Sequence, residues 1–185
     1  MKLTLGACCV ILLALNVALI RQNRQLKRQA ALPPPALELP AGTSVPELKG
    51  FDPSGKAIDV AYGKDPRKVL VLVYSPTCKF CAENWPQWWD LISSLDRNAV
   101  RPVAVDVTSS STSDFVAEHR LNNVPVMNQI EPASRIRYHF QITPQTMLVD
   151  PNGNVEKVWS GVLDSAALKE LKQRTGSKQS AQASL

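Results

Sequence analysis

Two cysteines three positions apart, Cys78 and Cys81, are the residues of this chain best suited to chemistry. A thiolate beside a second thiol can attack a disulfide and let its neighbour complete the exchange. Other uses of the spacing are half of a zinc site or a pair of structural thiols. Zinc needs two further ligands, and the sequence offers only His119 and His139, with no second pair of this kind.

The flanking sequence favours redox use. An apolar run, Val69 to Tyr74, is broken by Ser75-Pro76-Thr77, and a helical pattern begins at the cysteines. Such a run reads as a strand covered on both faces, followed by a tight loop and a helix start. Unpaired N–H groups and the helix dipole favour negative charge at a helix start, so Cys78 should ionise more readily than a free thiol. Lys79 beside it adds a cation, which favours the thiolate and a more oxidising couple.

The remaining elements follow from pattern. Glu47 to Phe51 and Ala57 to Val60 flank Asp52-Pro53-Ser54-Gly55 and read as a hairpin. The helix after the cysteines, about Phe80 to Leu95, puts Trp85, Trp88, Leu91, Ile92 and Leu95 at helical spacing, with Pro86 removing one backbone donor. The three tryptophans 85, 88 and 89 suit core packing. Val100 to Val107 is a second buried strand, and the polar loop 109–112 caps a helix from about Asp114 to Leu121. Pro132 opens a short helix towards Phe140. Thr143-Pro144 begins a hairpin whose turn is Asp150-Pro151-Asn152-Gly153 and whose second strand is Val155 to Trp159. Asp164 caps a last helix, Ser165 to Gln173. The β-α-β-α order makes the domain α/β, with a parallel pairing joined by crossover helices.

The ends differ in character. Leu3 to Ile20 carries no charge over 18 residues, about 27 Å as a helix at ~1.5 Å per residue, close to a hydrocarbon core of about 30 Å. A basic stretch, RQNRQLKRQ, follows instead of a small-residue cleavage site, so a retained membrane anchor is expected over residues 1–30. Cys8 and Cys9 lie within it as small hydrophobes. Pro33 to Pro35 and Pro40 make residues 31–44 a semi-rigid spacer, the folded domain spans 45–174, and the polar tail 175–185 is expected to be disordered. The net charge is +5, yet five of the 21 Lys and Arg precede residue 31, leaving 16 against 16 acidic residues. The domain is thus neutral, and nucleic acid is not an implied partner.

A Cys-x-x-Cys at a helix tip after a buried strand, a β-α-β unit and a Thr-Pro opening a late hairpin together resemble the thioredoxin fold, over residues 45–174. With the anchor, the Pro-rich spacer, the early hairpin and TPQTMLVDPNG, the chain resembles the membrane-anchored TlpA/ResA-like thiol-disulfide oxidoreductases. The lead-in Ser-Pro-Thr-Cys is also similar to the thioredoxin-like accessory protein of methylamine dehydrogenase maturation. The resemblance implies a central mixed sheet with flanking helices and an N-terminal hairpin extension. It makes Cys78 the attacking thiol, Cys81 the resolving thiol and Pro144 a cis-proline against the disulfide, with Thr143 pairing its backbone with an extended substrate. It sets Thr77, Lys79 and Phe80 around the pair and matches Pro86 to a helix kink. The redox-active Cys78–Cys81 disulfide would be the sole redox group, with no metal and no separate cofactor. The partners implied are exported proteins bearing thiols or disulfides, as in cytochrome c or other redox-enzyme maturation, and a membrane electron relay. The domain would face the periplasm or outer side of a bacterial inner membrane. Basic residues after the span argue for the opposite orientation, and the resemblance is the reason for setting them aside.

Departures from the family pattern are specific. Thr77 stands where Trp is usual, Leu72 where thioredoxin has a buried Asp, and Asn84 where the TlpA/ResA-like group often has Glu, so Cys81 has no assigned proton acceptor. Two other readings compete. A copper carrier would use both thiolates with His119, His139 or a methionine. A peroxidase of the peroxiredoxin class would need a Pro-x-x-x-Thr-x-x-Cys loop with a nearby Arg, which Thr77-Cys78 matches only in part.

Overall fold

The computed structural model describes residues 15–24 and 38–177. The chain divides into two units, Met1–Ala36 and Leu37–Leu185. In the first, residues 15–24 are helical, and among the described residues no helix is long and apolar enough to cross a membrane. Most of the expected anchor and spacer, residues 1–14 and 25–37, and the end of the expected tail, 178–185, lie outside the described residues.

The second unit is built on β3 (Lys68–Tyr74), whose residues from Val69 onwards are all buried. A strand of this kind needs cover on both faces, and neighbours on both edges satisfy its backbone. It pairs in parallel with β4 (Val100–Asp106) and antiparallel with β7 (Gln145–Val149). Completed by β5 (Val126–Met127) and β8 (Val155–Ser160), the mixed five-stranded sheet has the order β5-β4-β3-β7-β8. The expected hairpin, β1 (Leu48–Phe51) with β2 (Ala57–Val60), gains a third strand, β6 (Gln129–Ile130), to give a separate small sheet.

Alternating side chains of the central strands supply two cores. Leu70, Leu72, Tyr74 and Leu148 pack with Trp85, Trp88 and Leu91 of α1 (Lys79–Ser94) and with Leu171 of α4 (Ser165–Arg174). Val69, Val71, Val73, Met147 and Val149 face Leu48, Val60, Tyr138 and Phe140 on the other side. The tryptophans at 85 and 88 are core residues, as their spacing predicts, with Trp88 fully buried.

Several expected boundaries change for local reasons. Helix α2 covers Ser113–Glu118 and stops short of Leu121, because Arg120 turns left-handed at φ 56 and lets Leu121 drop into the core. Helix α3 covers Pro132–Arg137 rather than reaching Phe140, since His139 takes φ 52 and swings Phe140 inward. The spacer was expected to run to residue 44, but Leu39 is already buried. Gly42 N–H donates to Val155 O at 2.8 Å, Val155 N–H donates to Thr43 O at 2.9 Å, and Ser160 N–H donates to a Glu38 carboxylate oxygen at 3.1 Å. These contacts lay residues 38–44 along β8. At the other end Thr175, expected to begin a disordered tail, is the buried C-cap of α4, its hydroxyl donating to Leu171 O at 2.8 Å.

Candidate active site

Strand β3 ends at Tyr74, and the loop that follows closes on itself. Ser75 and Thr77 hydroxyls lie 3.2 Å apart, and Cys78 N–H donates to Ser75 O at 3.1 Å. This turn makes Cys78 the N-cap of α1, with φ −82 and ψ 117, and no side chain caps the helix. Cys78 O accepts from Cys81 N–H and Ala82 N–H, both at 3.1 Å, so the first helical turn ties the two cysteines together. Cys78 is half-buried, Cys81 is buried, and both are free thiols.

Opposite them, the peptide bond between Thr143 and Pro144 is cis, and the Cys78 thiol donates to Thr143 O at 3.5 Å. Sequence positions 65 residues apart thus meet at one sulfur. Burial alone would raise the Cys78 pKa. It is outweighed by hydrogen bonds from the Thr143 side chain, from Cys81 and from the backbone N–H groups of Cys81 and Phe80, and the thiol is more acidic than usual. Cys81 goes the other way. Burial pushes it up to about 12, and the neighbouring Cys78 sulfur adds to the rise. One sulfur is therefore exposed to partners and ready to ionise, while the second stays protonated behind it.

The other expected residues take unequal parts. Thr77 and Phe80 are exposed beside the pair. Lys79, expected to favour the thiolate, instead extends into solvent with its ammonium 3.9 Å from the Glu83 carboxylate, and the groups that bond Cys78 are those of Thr143, Cys81 and Phe80. Pro86 sits inside α1, where it cannot donate to the carbonyl of Ala82.

Two polar features beside the pair have no counterpart in the sequence reading. Asn84, known there only as a departure, is fully buried, and its Oδ1 accepts from Leu163 N–H at 2.8 Å. Buried Asp106, at the end of β4, accepts from the N–H and hydroxyl of Thr108 and of Ser111 and from Ser110 N–H, all at 2.7 to 2.8 Å. Ser111 Oγ is 2.8 Å from the Tyr74 hydroxyl, whose pKa is raised by burial and by the charge of Asp106. An acidic residue ending a buried strand before a Thr/Ser-rich loop was the available signal.

His119 stacks on Phe115 with ring centroids 3.9 Å apart and on Trp85 at 4.6 Å. Among the described residues no cluster of three or more His, Cys, Asp or Glu side chains could hold a metal ion.

Solved structures share this architecture. StoA from Bacillus subtilis is 20% identical, with 70% of this chain and 99% of that chain covered and a TM-score of 0.53. A thiol:disulfide interchange protein of the thioredoxin family from Chlorobium tepidum is 17% identical, with 75% and 98% covered and a TM-score of 0.58. A DsbF homologue from Corynebacterium diphtheriae is 14% identical, with 74% and 90% covered and a TM-score of 0.60. At these identities the likeness establishes a thioredoxin-like fold. A search of curated proteins finds no match. The family model described as AhpC/TSA matches residues 41–158, from ahead of β1 into β8 and including both cysteines, and the chain therefore belongs to the AhpC/TSA family.

Proposed function

We propose that this protein is a thiol-disulfide oxidoreductase acting on proteins through Cys78 and Cys81. The observation that carries the reading is the asymmetry of the pair: an accessible, acidified sulfur against the cis Thr143–Pro144 bond, and a buried, protonated one a helical turn away. The Cys78 thiolate attacks a substrate disulfide, forming a mixed disulfide and releasing one substrate thiolate, which takes up a proton. Cys81 then loses its proton and attacks the Cys78 sulfur. The Cys78–Cys81 disulfide forms, the second substrate thiol leaves, and two electrons have passed to the substrate. Run backwards, the same steps oxidise a dithiol, and the potential of the couple against its partner sets the direction.

The finer reading rests on sequence. Leu3 to Ile20 anchors the chain in a bacterial inner membrane, the redox domain faces the periplasm or outer side, and its clients are exported proteins, with a membrane electron relay resetting the pair. Thr143 offers its backbone to an extended client segment, a mode of recognition tolerant of sequence.

Insulin reduction by the purified chain tests the core of this reading. Cys78→Ser should abolish turnover, and Cys81→Ser should accumulate mixed disulfides through Cys78. Native turnover without Cys78 would overturn it, and consumption of hydrogen peroxide in place of insulin disulfides would establish the peroxidase reading instead.

A further inference from the structure

Position 84 lies three residues beyond Cys81 on α1, where a residue lies on the same face of a helix and must find partners if it carries polar atoms into the core. Asn84 is fully buried. Its Oδ1 accepts from Leu163 N–H at 2.8 Å, while its Nδ2 has no hydrogen-bond partner. An unpaired buried donor costs about 1–3 kcal/mol, so an apolar residue would suit the position better unless Oδ1 serves a purpose there.

Leu163 belongs to the loop joining β8 to α4, and the same loop reaches the cis-proline. Gly161 N–H donates to Pro144 O at 2.8 Å, with Gly161 at φ +86, a conformation that suits a residue without Cβ. Pro144 follows Thr143, whose carbonyl accepts from the Cys78 thiol at 3.5 Å. The contacts close a ring: from the helix carrying both cysteines, through Asn84, to Leu163 and Gly161, to Pro144 and Thr143, and back to Cys78. A carboxamide does not titrate near neutral pH, so Asn84 enters this ring as a fixed acceptor and takes no proton from Cys81.

We propose that Asn84 is a positioning residue that, through the 161–163 loop, sets the Thr143–Pro144 backbone against Cys78 and thereby governs how an extended polypeptide disulfide is held for exchange. The proposal deepens the oxidoreductase reading and rests on it. Polypeptide substrates, which use the Thr143 backbone, are the class affected.

The test uses the full chain, with insulin and a disulfide-linked peptide dimer as substrates. Asn84→Leu removes the acceptor at similar volume. It should raise KM for the peptide about tenfold with kcat within about twofold. Asn84→Asp keeps an oxygen for Leu163 N–H and should restore KM to within about threefold of the native value. An unchanged KM in Asn84→Leu, or an Asn84→Asp variant as impaired as Asn84→Leu, overturns the proposal. Should Asn84→Leu not fold, the Cys81→Ser chain, which retains its mixed disulfide, decides: on forming that mixed disulfide with the peptide, the amide resonances of Gly161 and Leu163 should shift with that of Thr143, and a shift confined to Thr143 overturns the proposal. A native chain that reduces neither substrate overturns the oxidoreductase reading itself, a result distinct from an active native chain with an indifferent Asn84→Leu.

Discussion

Trp88 Nε1 donates a hydrogen bond of 2.9 Å to Thr146 Oγ1, and both residues are fully buried. The helix that carries Cys81 is thus fastened to the strand that starts after Pro144. Thr146→Val keeps the shape and strands the indole N–H, so it should cost about 1–3 kcal/mol. Trp88→Ala also opens a cavity and should cost about 3–5 kcal/mol. Urea unfolding of the two variants checks the order, and equal losses would show that the hydrogen bond rather than the packing dominates.

The split in thiol acidity sets an order of alkylation. Cys78 should react with iodoacetamide with a midpoint below a cysteine's ordinary 9.0, and Cys81 should stay unmodified until the solution is far more alkaline. Mass spectrometry of protein quenched at a series of pH values measures both.

The same shifts give reduced-state stability a pH dependence with two signs. Cys78, depressed in the fold, contributes stability that is complete above 9.0 and is lost as pH falls through its lower folded value. Cys81, raised in the fold, contributes stability that is complete below 9.0 and is lost as pH rises towards about 12. Reduced protein should therefore become easier to unfold with urea on the alkaline side of 9.0, and Cys81→Ser should flatten that limb.

Asp106 gathers donors from three residues of one loop and holds Ser111 against Tyr74. Asp106→Ala leaves three backbone N–H groups without their acceptor and should destabilise by at least about 3 kcal/mol, with a lower Tm. Asp106→Asn retains part of the acceptor capacity and should fall between the two.

Gly50 on β1 is enclosed. A Cβ there would lie 2.5 Å from Met127 Cγ and would press on the Gln129 carbonyl of β6. Gly50→Ala should cost about 1–3 kcal/mol through overpacking, and Tm measures it. Insulin turnover at 25 °C should persist, because neither Met127 nor Gln129 touches Cys78, Cys81 or Thr143.

What the sequence disclosed follows the range of its signals. Val69 to Tyr74 announces a doubly covered strand because every residue is apolar, and Cys78, Cys81 and Thr143-Pro144 stand out by type and spacing. Strands β5 and β6 have two residues each, too few for any period, and they exist because β4 and β1 offer them backbone partners. The left-handed turns at Arg120 and His139 shorten two helices without a glycine to mark them. Lys79 looks influential in a string of letters, yet its long side chain reaches water and Glu83. Asn84 reads as the loss of an acid, and its bond to Leu163 spans 79 residues that no local pattern connects.

The segment from Glu38 to Ser44 has an effect that reaches beyond fastening the chain. Strand β8 forms one margin of the five-stranded sheet, where a row of open amides and carbonyls would invite another molecule to dock and begin a stack. By occupying Val155 and Ser160, the domain's own leading segment guards that margin against self-association.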